Sequence, residues 1–333
     1  MASNLTSEAA FRGLVDLAAE QLGGRALYAN DEFFAEKENL LKAGRGVFIE
    51  GKYTDRGKWM DGWESRRKRD LPGHDFCVIR LGVPGSARGV DIDTNHFLGN
   101  HPPYAALDGA FAAADADPLA IEWQEILPRS PLKPGSQNFF ALAAREPITH
   151  VRLRIYPDGG VARLRVYGEP FVDAARLEGR IDLAALTSGA RAIACSDMFF
   201  GNVEQLILPG RPENMGGGWE TRRRRGPGHD WAIVKLAGRG FVESVEVDTC
   251  HFKGNYPDRC SLDACVAPAE PIDALNWHLA EWVPLLGQQK LAADTIHHFG
   301  ELVELGPWDY VRLNIYPDGG IARLRCWGRL EKR

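Results

Sequence analysis

The sequence contains an internal repeat, and this repeat restricts the folds open to the chain. An ordered set of motifs rich in Trp, Glu, Arg, His, Asp and Asn occurs once in each half. The matched segments are 62–69 with 218–225, 73–75 with 228–230, and 93–102 with 248–257. The copies lie 166 residues apart at Asp16 and Asp182, 155 apart at Asp93 and Asp248, and 160 apart at Pro157 and Pro317. One fold of roughly 150 residues therefore occurs twice, with loops of different length.

The residue pattern within each copy is that of β-structure. Residues 76–81 form a short, nearly all-apolar run, and residues 90–94 alternate apolar with polar side chains. Residues 151–156 and 161–168 flank a Pro-Asp-Gly-Gly turn, and this arrangement predicts a hairpin. Short strands with many Gly- and Pro-rich turns predict a mostly β chain of two tandem domains, each a sandwich or a jelly roll.

The domain boundaries follow from the same repeat. Phe11, Leu14, Val15 and Ala18 recur at helical spacing, which predicts a short N-terminal helix that ends near Gly23. We expect the first sandwich, with this helix, over residues 1–172, a linker over 173–180 and the second sandwich over 181–333.

Composition excludes several classes of protein. With 333 residues, 44% of them hydrophobic, each half can build a core, while a net charge of −5 argues against a nucleic-acid binder. No apolar run is long enough to span a membrane, and no signal-peptide pattern is present. The six cysteines show no CxxC spacing, so we expect reduced thiols and a cytoplasmic protein. No glycine-rich phosphate loop follows a strand, which argues against a nucleotide cofactor.

The repeated motifs supply groups for recognition and proton transfer. Arg66 and Arg67 could hold a carboxylate through parallel hydrogen bonds, although a solvated basic hairpin has the same pattern. His74, within Gly-His-Asp, is interpreted either as a general acid or base or as a residue that pins the strand through a backbone carbonyl. Asp93 and His96 are three residues apart and could form half of a metal site, but no third ligand is evident.

Two further positions allow a structural and a functional interpretation, and the copies differ elsewhere. Trp63 is expected in the core under a loop, and Asn100 fits a turn or an amide directed at a ligand. Relative to the first copy, Met198 replaces Glu32, Cys250 replaces Asn95 and Tyr256 replaces His101. Each change removes or weakens a polar partner, so we expect the first copy to carry most of any turnover.

Taken together, these motifs resemble the allantoicase family, over nearly the whole length and in both copies. The resemblance rests on residues 31–41, 62–67, 73–75, 91–100 and 156–160. It implies a hydrolase that cleaves allantoate to ureidoglycolate and urea in purine degradation. It also implies two galactose-binding-like jelly rolls and a homo-oligomer. The expected partner is a small-molecule substrate, with no nucleic acid and no membrane. No cofactor is certain, and a divalent metal is left open.

Allantoate carries one carboxylate and two ureido groups on a single carbon, and the candidate residues match these groups. An Arg suits the carboxylate, whereas Asp, Glu and Asn suit the ureido N–H and C=O groups. We expect catalysis by Glu64, His74, Asp93 and His96. We expect substrate binding by Glu32, Arg66, Arg67, Asn95 and Asn100. The counterparts in the second copy are Glu220, Arg222, Arg223, His229, Asp248, His251 and Asn255.

Two other functions remain open on the sequence alone. Jelly rolls often bind sugars, so a non-catalytic tandem carbohydrate-binding module is one alternative. A hydrolase of another ureido or guanidino acid, with the same carboxylate anchor, is the second.

Overall fold

The structure is a computed structural model that describes residues 11, 14–69, 72–143, 146–172, 177–268, 272, 273 and 275–332. It divides into two compact units, Met1–Phe171 and Val172–Arg333. Both units are built from strands with short 3-10 turns between them, so the expected mostly β class with two tandem jelly-roll sandwiches is confirmed. Residues 173–176 of the expected linker lie outside the described residues.

The first unit contains strands β1 to β12. Their bounds are β1 Val15–Asp16, β2 Arg25–Ala29, β3 Tyr53–Thr54, β4 Gly57–Lys58, β5 Trp63–Glu64, β6 Asp75–Asp93, β7 Tyr104–Ala110, β8 Gln124–Pro131, β9 Phe139–Ala141, β10 Ile148–Tyr156, β11 Gly160–Val161 and β12 Arg163–Pro170. Two 3-10 turns, Glu20–Leu22 and Lys37–Leu41, lie between strands.

The second unit repeats this order in strands β13 to β22. Their bounds are β13 Ile181–Asp182, β14 Arg191–Cys195, β15 Trp219–Glu220, β16 Asp230–Asp248, β17 Arg259–Cys265, β18 Val283–Lys290, β19 Ile296–Phe299, β20 Trp308–Tyr316, β21 Gly320–Ile321 and β22 Arg323–Leu330. The 3-10 turns are Leu186–Ser188, Val203–Ile207, Met215–Gly217 and Trp277–Leu279.

The 19-residue strand β6 joins the two layers of the first sandwich. Its first part pairs with β2 and β10, and β10 continues through β7 to β8. Its second part pairs with β9 and β12, and β12 continues to β1. Strand β16 has the same role in the second unit. The side chains that face inward from both layers, among them Ile79, Ile92, Leu153 and Leu164, are fully buried and form the core.

Both ends of β6 lie at the same end of the sandwich. Asp75 pairs with Ile155 and Asp93 pairs with Arg163, and these two partners flank the turn of the β10–β12 hairpin. The motifs that precede and follow β6 in the sequence are therefore brought to this turn. Asp230 with Ile315 and Asp248 with Arg323 give the same arrangement in the second unit.

The expected N-terminal helix includes Phe11, which is helical, but it does not extend to Gly23. Val15 and Asp16 form an edge strand on β12, and Glu20–Leu22 is a single 3-10 turn. The Asp16 carboxylate accepts hydrogen bonds from the backbone N–H groups of Ala18 and Val166, which fixes the chain in an extended form. The apolar spacing instead serves the core, where Leu17 and Ala18 are fully buried. Residues 1–10, 12 and 13 lie outside the described residues.

Trp63 lies in the core, as expected, and anchors the loop that contains Asp31. The ring is fully buried, and its Nε1 donates to the carbonyl oxygen of Asp31 over 2.8 Å. Trp219 makes the same bond to Asp197 over 2.8 Å. Among the described residues, no helix is both long and apolar enough to cross a membrane.

Candidate active site

The β10–β12 turn gathers three segments of the repeated motifs through backbone hydrogen bonds. Ser65 N donates to Gly159 O over 3.1 Å, Gly160 N donates to Asn100 O over 2.8 Å, and Lys68 N donates to an Asp158 carboxylate oxygen over 2.7 Å. The Pro-Asp-Gly-Gly sequence suits this position for a steric reason. A Cβ on Gly160 would lie 2.0 Å from the Phe97 ring, and Gly159 has φ of +135°.

A carboxylate bound to an amide lies at this end in each unit; it is buried in the first unit and half-buried in the second. Asn100 Nδ2 donates to Glu64 Oε1 over 2.7 Å, and Asn255 Nδ2 donates to Glu220 Oε1 over 2.6 Å. Glu64 is 9% exposed, and burial raises the pKa of its carboxyl group, although the Asn100 hydrogen bond acts in the opposite direction. A carboxyl group with a raised pKa is suited to donate and recover a proton.

A cavity of about 540 Å³ opens beside Glu220 in the second unit. Its walls include Phe200, Glu220, Thr221, Arg223, Asn255, Tyr256, Asp258 and Asp318. Glu64, Arg67, Asn100, His101 and Asp158 occupy the corresponding positions in the first unit. The structure therefore brings the predicted Glu, Arg and Asn of the repeat together at one wall.

The two neighbouring arginines have different surroundings. Arg66 donates from Nε and from its backbone N–H to the Asp31 carboxylate, over 2.8 and 3.0 Å, and Arg222 is bound in the same way by Asp197. Arg67 is exposed and has no carboxylate partner within the described part of the chain. Since Arg223, its counterpart, lines the cavity, the second arginine of the pair is the one open to a ligand.

Asp93 is held in an ion pair that the sequence did not indicate. Nε and Nη2 of Arg45 donate to its two carboxylate oxygens over 2.8 and 2.9 Å, and the carboxylate is 2% exposed. Arg211 binds Asp248 equivalently, over 2.9 and 3.0 Å. Both oxygens of Asp93 are thus bound to Arg45, and the group of metal-ligating side chains found among the described residues does not include Asp93 or His96. The available signal was the Gly-Arg dipeptide at residues 44–45 and again at 210–211.

Two other expected binding residues are also hydrogen-bonded or ion-paired to residues of the loops around the site. Asn95 Nδ2 donates to Gly46 O over 2.8 Å, which ties its amide to the Arg45 loop. The Glu32 carboxylate accepts from the backbone N–H of Lys37 over 3.1 Å and pairs with the Lys37 ammonium over 3.3 Å. Both side chains therefore shape the loops around the site.

The histidines lie at the same end of the sandwich, but separately. His74 is largely exposed, and its ring lies 5.3 Å from the Tyr156 ring. Partial desolvation of the ring and the positive charges of Arg154 and Arg152 lower its pKa. His96 is exposed, has φ of +67° and lies 5.7 Å from the Phe48 ring. None of the hydrogen bonds or ring contacts described for this chain joins either imidazole to Glu64 or Asp93. In the second unit His229 Nε2 lies 3.3 Å from Asn314 Oδ1.

The fold and this site define a tandem β-sandwich protein with a carboxylate, an amide and a guanidinium at one end of each sandwich. The model of the allantoicase repeat matches residues 15–171 and 181–331. The chain is 51% identical over 323 residues to a probable allantoicase 2 of Burkholderia pseudomallei, with 96% of each chain covered. It is 49% identical over 326 residues to a probable allantoicase of Stutzerimonas stutzeri, with 97% of this chain and 98% of the other covered.

A solved structure gives the same result. The crystal structure of allantoicase from Saccharomyces cerevisiae superposes with a TM-score of 0.80 at 33% identity, covering 97% of this chain and 98% of that one. The chain belongs to the allantoicase family.

Proposed function

We propose that the chain hydrolyses allantoate to ureidoglycolate and urea, a step of purine degradation, at the end of the sandwich that carries the Glu–Asn pair. Family membership supports the reaction. The observation that carries the assignment of the site is the cavity wall in which Glu220, Asn255 and Arg223 converge. Glu64, Asn100 and Arg67 are the same three residues in the first unit.

The substrate carboxylate is bound by the guanidinium of Arg67, which has no competing carboxylate among the described residues. A guanidinium presents two parallel N–H groups that match a carboxylate, and this geometry fixes the central carbon relative to Glu64. Arg66 is bound to Asp31 and holds the loop. The ureido groups face the acceptors and donors of the cavity wall, which in the second unit includes the Asp318 carboxylate, the counterpart of Asp158.

Glu64 performs the proton transfers in this proposal. In its protonated form it donates the proton to the departing ureido nitrogen as the bond from that nitrogen to the central carbon breaks. The remaining ureido nitrogen donates its lone pair to the central carbon during this step. Water then adds to that carbon and returns one proton to Glu64, which restores the starting state and balances the reaction. Asn100 orients the carboxyl group.

The other expected catalytic residues have distinct proposed roles. Asp93 is a positioning residue, because its ion pair with Arg45 fixes the loop that carries His96. His74 and His96 are the two imidazoles that could assist the water, and their substitution is the direct test.

The experiment is a urea-release assay on the full chain with allantoate. We expect urea and ureidoglycolate in equal amounts, and little product from sugars, guanidino acids or other ureido acids. Assays with a chelator and with added divalent metal measure the activity of the protein without metal and with metal. Folded protein that releases no urea under either condition would overturn the proposal, and faster hydrolysis of another ureido acid would change the substrate.

We also propose a cytoplasmic homo-oligomer. All six cysteines are free thiols, and five of them are buried, which suits a reducing compartment.

Exposed aromatic side chains at Phe33, Phe34, Phe199 and Phe200 offer apolar surface to a second copy. Light scattering on the purified chain tests the oligomer, and a monomer at micromolar concentration would contradict it.

A further inference from the structure

Three side chains of different donor chemistry meet in the second unit, at the loop that follows β16. The Cys250 sulfur, a His251 ring nitrogen and an Asp294 carboxylate oxygen all lie within 4.8 Å of one another. Cys250 is 5% exposed, His251 is partly buried and Asp294 is exposed, so the group opens to solvent on one side. Sulfur, imidazole and carboxylate are the ligand types that zinc and similar ions take in proteins.

The hydrogen bonding of His251 leaves one ring nitrogen available. Its Nε2 lies 2.9 Å from the carbonyl oxygen of Pro212. A carbonyl can only accept, so Nε2 carries a hydrogen, and in the neutral imidazole Nδ1 then has the free lone pair. Histidines that bind a metal usually donate their second ring N–H to a carbonyl or carboxylate in this way, which fixes the tautomer and the ring orientation.

Asp294 is held at the group by a hydrogen bond to the backbone of His251. Its φ is +49°, and its Oδ1 accepts from the backbone N–H of His251 over 2.7 Å. The other oxygen has no hydrogen bond among the described contacts. Asp294 N donates to Phe252 O just as Gly135 N donates to Phe97 O in the first unit, so the two positions correspond. The first unit has glycine at this position, with φ of +59°, whereas the second unit has aspartate, one of the few other residues that adopt this conformation readily.

The first unit has only one of the three groups. At the corresponding positions it carries Asn95, His96 and Gly135. Arg211 lies near the group and its charge opposes a bound cation, but Asp248 binds this guanidinium through both carboxylate oxygens and compensates it. The Cys–His–Asp combination is therefore specific to the second unit and lies in a site whose charge permits a cation.

We propose that Cys250, His251 and Asp294 bind a zinc-type transition-metal dication, with further coordination positions open to water. The site is distinct from the Glu–Asn pair and the arginine proposed for allantoate, so it stands or falls independently of that function. With three protein ligands and solvent on one side, it has the layout of an open metal site and not of a closed structural one.

The test is a titration of the reduced, chelator-treated full chain with Co²⁺ and then Zn²⁺. We expect about one tight Co²⁺ per chain, a thiolate-to-cobalt charge-transfer band, and displacement by Zn²⁺. Cys250→Asn, which introduces the residue of the first unit, should abolish the band. Asp294→Gly, also taken from the first unit, should weaken binding about tenfold or more.

Matched controls come from the same chain. Cys195→Ser removes a partly buried thiol elsewhere in the second unit, and His96→Ala removes the corresponding imidazole of the first unit. Both should keep the band and the affinity. Absence of a thiolate band in the wild type, or its persistence in Cys250→Asn, would overturn the proposal. If Cys250→Asn does not fold, unchanged affinity in folded Asp294→Gly would overturn it instead.

Discussion

At the scale of single residues, the site depends on which charged groups are already paired. Arg66, Asp93 and Glu32 each have a partner of opposite charge, whereas Arg67 has none among the described residues. The sequence places Arg66 and Arg67 side by side and gives no means of choosing between them. The choice depends on Asp31, which comes from a loop 35 residues away.

The first prediction concerns the carboxylate anchor. Arg67→Lys should lower kcat/KM by a factor that corresponds to a loss of about 1–3 kcal/mol of transition-state binding, because an ammonium cannot reproduce two parallel hydrogen bonds. Arg66→Lys should cost less, since Arg66 binds Asp31. Steady-state kinetics on the two variants, with Arg223→Lys and Arg222→Lys as the matched pair in the second unit, checks this. A larger loss from Arg66→Lys than from Arg67→Lys would move the anchor.

The second prediction concerns the protonation state of Glu64. Glu64→Gln should lower kcat by about a hundredfold or more, in the range lost when a positioned proton-transfer group is removed. Burial raises the pKa of Glu64 and the Asn100 hydrogen bond lowers it. Asn100→Ala should therefore raise the pKa further, so the active, protonated form persists to higher pH.

The readout is the alkaline limb of the kcat–pH profile. We expect this limb to move to higher pH in Asn100→Ala, and folding to be unchanged by circular dichroism. A limb that stays in place, or moves to lower pH, would contradict the role given to Glu64.

At the scale of secondary-structure elements, the sequence predicted the regular parts and missed the continuity of β6. The alternation at residues 90–94 and the Pro-Asp-Gly-Gly hairpin are both found in the structure. Residues 82–89 broke the pattern, because Gly82, Gly85 and Gly89 interrupt the apolar alternation. These glycines lie in close contact with other segments, since a Cβ on Gly82 would lie 2.6 Å from Leu22 and one on Gly89 would lie 2.2 Å from Phe11. Such contacts depend on the folded chain and leave no periodic signal.

The third prediction concerns the edge strand β1 and the dependence of stability on pH. Burial of Asp16 raises its pKa from 3.8 to about 6. The folded state therefore binds this proton more tightly than the unfolded state does. The contribution of Asp16 to stability is fully present below about pH 4 and is lost as the pH rises to about 6, by on the order of 2–3 kcal/mol.

Asp16→Asn removes this titration. Relative to wild type, we expect the free energy of unfolding of the variant to rise between pH 4 and 6, measured by urea denaturation. Asp31→Asn is a control in which the opposite pH dependence is expected. Desolvation raises the pKa of Asp31, but the hydrogen bonds from Arg66 and Phe33 outweigh it and lower the pKa. That variant should instead lose stability relative to wild type as the pH rises through the unfolded value. Parallel curves for wild type and Asp16→Asn would show that Asp16 does not titrate in this range.

At the scale of the whole molecule, the repeat was the most informative feature and also the source of an open question. Matching segments in the two halves predicted the duplicated fold, but they did not indicate that Glu64, Asn100 and the turn lie together at one end of each sandwich. The sequence could not predict which polar side chains are hydrogen-bonded within the loops, because these bonds join residues that are far apart in the chain. Asn95 illustrates this, since its amide is bound to Gly46 and its replacement by Cys250 changes a loop contact.

The last prediction addresses whether both copies turn over substrate. We expect the first copy to carry most of the activity. Both copies keep the Glu–Asn bond, at 2.7 Å in the first and 2.6 Å in the second. The difference is at the wall, where His101 of the first copy corresponds to Tyr256 of the second. His101 also has a ring nitrogen, Nδ1, that is buried without a hydrogen-bond partner in the described structure, and an imidazole can accept a hydrogen bond from a ureido N–H group, which the ring atoms of a tyrosine cannot do.

The matched pair Glu64→Gln and Glu220→Gln separates the copies, because each variant changes the same atom of the same bond in one unit only. The first should lose about a hundredfold in kcat, and the second should lose less than about half, since a chain with one dominant site keeps its turnover when the other is disabled. A loss of about half in each single variant would mean two equal, independent sites. A large loss confined to Glu220→Gln would assign the turnover to the second copy, where the 540 Å³ cavity lies.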